Sequence, residues 1–194
     1  MDLSKFNKLL IVVDMVNGFV REGVMSDKFI EHIIPEQVRL VEDIIDKKEG
    51  LIFIKEAHND SSREFLRYPK HCVKGTNEAE LVDELKVFED KGLVYEKNST
   101  SAIFSKGFLS DINKMDNLEE IVIVGCCTDI CVMNLAIPLQ NYFDQMDRSI
   151  NIVIPKNAVE TYNGDNHDRV EYNNMAFKLL EQAGVKLVDI YDWK

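Results

Sequence analysis

Three of the four cysteines stand in "IVIVGCCTDICV", residues 121–132. Cys126 and Cys127 are adjacent, and Cys131 follows after Thr128, Asp129 and Ile130. An apolar run feeds this group, so the thiols lie where a strand gives way to a helix. Four chemistries fit such a cluster: a disulfide, a metal clip, core filling or a reactive thiolate. With Thr128 or Asp129 as N-cap, Cys131 falls in the first helical turn. There the helix dipole and a nearby cation favour thiolate, and free backbone N–H groups can hold an oxyanion. Cysteine is also a small, commonly buried residue. Core filling is the reading for the Cys126 and Cys127 side chains, and for Cys131 packing and nucleophile stand level. A zinc clip is weaker, because Cys127 and Cys131 are suitably spaced but no second pair accompanies them.

Two more groups belong beside a nucleophile. Asp14 ends the apolar run "LLIVV" (9–13), and a carboxylate at the end of a buried strand needs a partner. Lys97 follows another apolar run in "VYEKNSTSAIF". Taken singly, each reads as a solvated surface charge. Together with Cys131 they make a working set, since a thiol needs a base and a lysine needs a carboxylate to hold it. Glu56, His58, Glu64 and His71 are the metal candidates. Glu56 and His58 are two apart on an extended segment, so they point the same way. Two histidines with a carboxylate or two suit zinc first, with iron or manganese as alternatives. The competing reading is four solvated loop residues. His32 and His167 read as surface histidines without a role.

The elements that must position these groups are legible as patterns. Six apolar runs suit buried parallel strands: 9–13, 50–54, 92–96, 120–125, 150–154 and 185–190. Helical spacing recurs in 35–48, 78–88, 108–115, 128–143 and 171–184, the last ending at the C-cap candidate Gly184. Pro138 predicts a kink or an early break in its helix. The alternation implies an α/β protein, a three-layer α/β/α sandwich with a mainly parallel, Rossmann-like six-stranded sheet. No linker divides it, so residues 1–194 read as a single domain. In such sheets ligands sit outside the carboxyl ends of the strands, where Asp14, Glu56, His58, Lys97 and Cys126 to Cys131 all fall. The polar segment 57–77 lacks periodicity, and loops of that length in compact domains are usually functional or disordered.

Lys and Arg number 23 against 34 Asp and Glu, a net charge of −11. That balance argues against nucleic acid or an anionic membrane surface as partner. The N-terminal stretch lacks a signal-peptide pattern, and no window approaches the roughly 20 apolar residues of a membrane helix. A cytoplasmic protein with free thiols is the expectation, which makes the disulfide the weakest explanation of the cysteine cluster.

Four motifs, in order, resemble the cysteine hydrolase (isochorismatase-like) superfamily, and within it the nicotinamidases. They are "IVVDMVNGF", "RYPKHCVKGTNEAEL", "EKNSTSAIF" and "VGCCTDICV". The resemblance covers about residues 9–154. It implies a catalytic triad of Asp14, Lys97 and Cys131. It also places a cis peptide between Cys126 and Cys127, whose purpose is to aim the Cys127 and Cys131 N–H groups at a substrate carbonyl. By the same resemblance Glu56, His58, Glu64 and His71 hold a divalent metal, and Phe19 and Tyr68 sandwich the substrate ring. Cys72 is the structural cysteine after the metal-binding His71. Glu56 stands where the family usually has Asp, and Tyr68 where Trp is common. The implied activity is hydrolysis of a small-molecule amide, nicotinamide first and another amide, N-carbamoyl or ureido compound second. A non-catalytic binding protein on this fold is the alternative of another class. A homo-oligomer is expected, since dimers are common for compact α/β units.

Overall fold

The computed structural model describes residues 3–193; positions 1, 2 and 194 of the expected domain lie outside the described residues. In chain order the strands are β1 (Lys8–Val13), β2 (Gly50–Glu56), β3 (Leu93–Lys97), β4 (Glu120–Cys126), β5 (Asn151–Pro155), β6 (Val159–Glu160) and β7 (Lys186–Val188). The helices are α1 (Asn17–Val20), α2 (Ile34–Asp46), α3 (Asp83–Lys86), α4 (Phe108–Ile112), α5 (Met133–Gln145) and α6 (Arg169–Gln182). All strand pairings are parallel, in the order β3-β2-β1-β4-β5-β7. The chain therefore winds outward in opposite directions from β1 and β4. Their carboxyl ends face the crevice where the direction reverses, the place such sheets offer to a ligand.

The sheet has one strand beyond the expected six. The two-residue β6 pairs with the end of β4, at Gly125 and Cys126, where β5 has already turned away. Two residues are too few to show a period in sequence.

Strand residues alternate between two cores. Leu9, Ile11, Val13, Ile121 and Ile123 face the side covered by α4, α5 and Leu180 of α6. Leu10, Val12, Phe53, Val122 and Val124 face α2, with Ile34, Leu40, Val41 and Ile44. Both faces are thus covered, which is why the strand runs read as nearly continuous apolar stretches. The C-terminal Tyr191 and Trp193 join the α2 side, with the Trp193 indole donating to the Leu40 carbonyl at 3.2 Å.

Three helical expectations are corrected. The 78–88 pattern yields only the four residues of α3, framed by tight turns. Residues 128–132 form a π-helical turn before α5, and neither Thr128 nor Asp129 caps it. α5 runs through Pro138 without a break. Proline has no N–H to give the carbonyl of Asn134, four residues earlier. The Ser101 hydroxyl donates to that oxygen instead, at 2.7 Å, so the helix loses no hydrogen bond there.

β1 and β4 can approach at their ends because Gly125 faces Val13. A Cβ on Gly125 would lie 2.0 Å from the Val13 carbonyl oxygen, and its φ of +123° is one that side chains rarely adopt.

Ser101→Ala is expected to cost about 1 kcal/mol, the low end of the penalty for orphaning an acceptor, since this contact is part-buried. In a Pro138→Ala background the new amide can take the Asn134 oxygen, so the same substitution should cost much less. Urea denaturation of the four proteins in this cycle measures the difference.

Candidate active site

The carboxyl ends of β1, β2 and β3 bring one charged group each, and the turn after β4 brings a thiol, to a single buried point. Asp14 follows β1 with its amide donating to the Ile54 carbonyl at 2.9 Å, so the ladder fixes its backbone at φ +51°. The Cys126 thiol also donates to the Asp14 carbonyl, at 3.2 Å. Lys97 ends β3 and is 3% exposed. Its ammonium lies 2.8 Å from Asp14 Oδ2, touches Glu56 Oε2 and donates to Cys131 Sγ at 3.5 Å. Ligand atoms of Asp14, Glu56 and Cys131 all lie within 4.8 Å of one another.

Burial sets the protonation of this group. It pushes the Cys131 thiol well up despite the opposing pull of Lys97, so the dipole expected to favour thiolate is outweighed. Lys97 is held well above its ordinary value: Asp14, Cys131 and Glu56 together overcome the desolvation that would lower it. Glu56 is pushed up to about 8, chiefly by burial, with Lys97 opposing and Asp14 adding to the rise. The peptide between Cys126 and Cys127 is cis. Among the described residues all four cysteines are free thiols.

A second group adjoins the first. His58 Nε2, His71 Nε2 and Glu64 supply atoms within 4.8 Å of one another, all from buried residues. The histidine tautomers follow from their outer nitrogens. His71 Nδ1 lies 2.7 Å from the Pro69 carbonyl, which can only accept. His58 Nδ1 lies 3.0 Å from Asn98 Oδ1, an oxygen that also accepts from the Asn59 amide at 3.1 Å. Each Nδ1 therefore carries a hydrogen, and in the neutral imidazoles the two Nε2 lone pairs face each other at 3.2 Å. Glu56 Oε1 at 3.0 Å and Glu64 Oε2 at 3.5 Å from His58 Nε2 add two more acceptors. The other Glu64 oxygen is taken by the Thr100 amide at 3.0 Å. Converging imidazole nitrogens and carboxyl oxygens fit a divalent cation, and imidazole with carboxylate is a donor set for zinc, iron or manganese. Glu56 stands between the groups, one oxygen on Lys97 and the other on His58.

The two groups adjoin one narrow cleft. Its lining includes the expected Phe19, Glu56, Glu64, Tyr68, His71, Cys127 and Cys131. Phe19 and Tyr68 approach the His71 ring, with centroids 5.6 and 6.4 Å away. Gly18 sets Phe19 in place, since a Cβ there would meet the Cys72 sulfur at 2.5 Å. Cys72 is fully buried, its thiol pushed up by burial, in keeping with a packing role.

The cleft also holds Met25, Thr100, Ile130 and Tyr162, which sequence reasoning missed. Met25 and Tyr162 come from irregular segments without periodicity, and Thr100 and Ile130 sit inside motifs read for other residues. His167, expected on the surface, is 8% exposed and paired with Asp129.

The isochorismatase-domain pattern matches residues 8–191. The chain belongs to the isochorismatase family. Among isochorismatase-family relatives, Nicotinamidase 1 of Arabidopsis thaliana is 31% identical over 139 residues, 64% of this chain and 57% of that protein. The match thus spans under two thirds of that relative's length. A second Arabidopsis thaliana protein, named probable inactive nicotinamidase, is 26% identical over 200 residues, covering 96% of this chain and 94% of its own. The crystal structure of nicotinamidase PncA from Bacillus subtilis aligns with a TM-score of 0.78 at 25% identity, covering 94% of this chain and 99% of that one.

Asn98→Ala removes the acceptor that orients His58, and should weaken Zn²⁺ binding by about 10–100-fold, the usual range for a lost outer partner of a ligating histidine. His71→Ala should weaken it further. Competition with a chromogenic chelator measures both.

Proposed function

We propose that this chain is a metal-assisted cysteine amidohydrolase whose substrate is nicotinamide. The observation that carries the reading is an aromatic-walled cleft lined by Cys131, Glu64 and His71, with Lys97 and Asp14 buried behind Cys131 and His58 buried behind His71. A ring amide entering between Phe19 and Tyr68 would be positioned by stacking, leaving its carboxamide over Cys131. His58, Glu64 and His71, with Glu56 beside them, would hold the metal; when bound it supplies a Lewis-acid anchor for the pyridine nitrogen.

In this mechanism Asp14 takes the Cys131 proton and Lys97 steadies the thiolate as it forms. Sulfur attacks the carboxamide carbon, and the Cys127 and Cys131 amides hold the oxyanion. Asp14 returns the proton to the leaving nitrogen and ammonia departs. A water, giving its proton to Asp14, then cleaves the thioester and releases nicotinate.

A specific observation weighs against an N-carbamoyl substrate that bears a carboxylate. That carboxylate calls for a cation, yet no Arg or Lys lines the cleft among the described residues, while Glu56 and Glu64 do. An uncharged amide suits that lining better. The low identity to the relatives, one of which is named inactive, leaves the activity to be tested directly.

Purified, metal-loaded protein should release ammonia from nicotinamide. Cys131→Ala should lower the rate by at least about a thousandfold, as loss of a covalent nucleophile does. Chelation should suppress release and zinc should restore it. No release from the folded, metal-loaded protein would overturn the assignment.

A further inference from the structure

Beyond the reacting groups, a second buried cluster grips the cleft from outside. Segment 161–168 joins β6 to α6 and carries Tyr162 into the cleft lining. It closes on itself through mutual backbone hydrogen bonds between Gly164 and His167, at 3.0 and 3.1 Å. The His167 ring lies between two tyrosines. It stacks on Tyr162 at 3.9 Å between centroids and 9° between planes, and meets Tyr172 at 3.7 Å and 30°. Its Nδ1 lies 2.9 Å from the Tyr162 carbonyl, an oxygen that can only accept, so an imidazolium donating from each nitrogen meets this contact and the one to Asp129 together. Its Nε2 lies 2.9 Å from Asp129 Oδ2.

Asp129 stands two residues before Cys131, in the same turn. The same strap is tied on its other side, where Asp27 Oδ2 accepts from the Asn163 amide at 2.9 Å. Arg169, at the start of α6, lies over the Phe29 ring at 3.5 Å. The Tyr162 ring thus has one face against His167, on a strap anchored to the nucleophile turn, and forms a wall of the cleft.

We infer that His167, clamped to Asp129, is a positioning residue that acts through Tyr162, and that Tyr162 is a substrate-selecting wall favouring flat aromatic amides. This rests on the amidohydrolase reading for its kinetics, although the geometry stands without it. A bond from the nucleophile turn to the aromatic wall fixes the spacing between sulfur and ring. Loss of the clamp should loosen ring binding more than the chemical step.

The test uses the metal-loaded full chain with Tyr162→Ala, His167→Ala, His167→Phe and the double variant Tyr162→Ala/His167→Ala. His167→Phe keeps an aromatic ring against Tyr162 but gives up the hydrogen bond to Asp129. For nicotinamide, KM should rise about tenfold in Tyr162→Ala and His167→Ala while kcat changes about threefold or less, and the double variant should be no worse than Tyr162→Ala alone. His167→Phe should fall between wild type and His167→Ala. Hydrogen exchange in 161–168 should accelerate in both His167 variants.

Alkylation of Cys131, followed on its peptide by mass spectrometry, supplies a readout that needs no amidase. Wild type should prefer N-phenyl iodoacetamide over iodoacetamide, and each single variant should lose about fivefold or more of that preference, again without additivity. Additive effects, a fall in kcat at unchanged KM, or an unchanged alkylation preference would overturn the inference. If nicotinamide is not hydrolysed but the alkylation preference behaves as stated, the substrate assignment fails and the clamp stands.

Discussion

A fully buried ammonium is the constraint around which this molecule is arranged. Lys97 can stay charged out of water only if negative groups surround it, since desolvation alone would strip its proton. Asp14 supplies a carboxylate against it, and Glu56 and the Cys131 sulfur complete the contacts around the nitrogen. They come from the ends of three different strands, so the order of the sheet follows from the same requirement. β1 and β2 must be neighbours, β3 must flank β2, and β4 must flank β1 for these groups to reach one nitrogen. Gly125 serves that approach, because any larger residue would drive β4 from the end of β1.

Charge counting links this point to the histidines. Asp14, Glu56 and Glu64 are buried carboxylates, and Lys97 is the buried cation in contact with the first two. Burial already relieves part of that charge by pushing Glu56 up to about 8, and what remains unmet is Glu64 beside the two facing imidazole nitrogens. On the proposed reading a divalent ion among His58, Glu64 and His71 would relieve it. Glu56 has a longer arm than the Asp usual for the family, and that length lets one carboxylate touch Lys97 and His58 together. The nucleophile's lysine and the cation site are then electrically coupled through a single side chain.

Much of this was legible in the sequence because strands impose strict positions. Apolar runs gave the parallel sheet, and residues at their ends necessarily met at one edge. Asp14, Glu56, Lys97 and Cys131 were visible for that reason, and the loop histidines by their motif. What remained hidden depends on contacts between distant segments. Nothing in the pattern around Pro138 shows that Ser101 would satisfy the helix it was expected to break. Asp129 looked like a helix cap, yet its carboxylate pairs with a histidine 38 residues away. Tyr162 and Met25 lie in segments whose shape is set by turns and side-chain ties, and such ties leave no periodic trace.

The same division separates chemistry from recognition. The reacting groups hang from ladder-locked strand ends, where a one-residue slip would reverse the face of every side chain. The cleft walls come mainly from the 15–27, 57–77 and 161–168 segments, which lie outside the strand ladders. A fold built this way can keep thiol, lysine and carboxylate fixed while its walls are exchanged. On the proposed reading, substrate choice would rest on Phe19, Tyr68 and Tyr162 and on what holds them. Of those supports, the Asp129–His167 pair ties a wall directly to the turn that carries the nucleophile, so the distance from ring to sulfur is set by the protein before any substrate arrives.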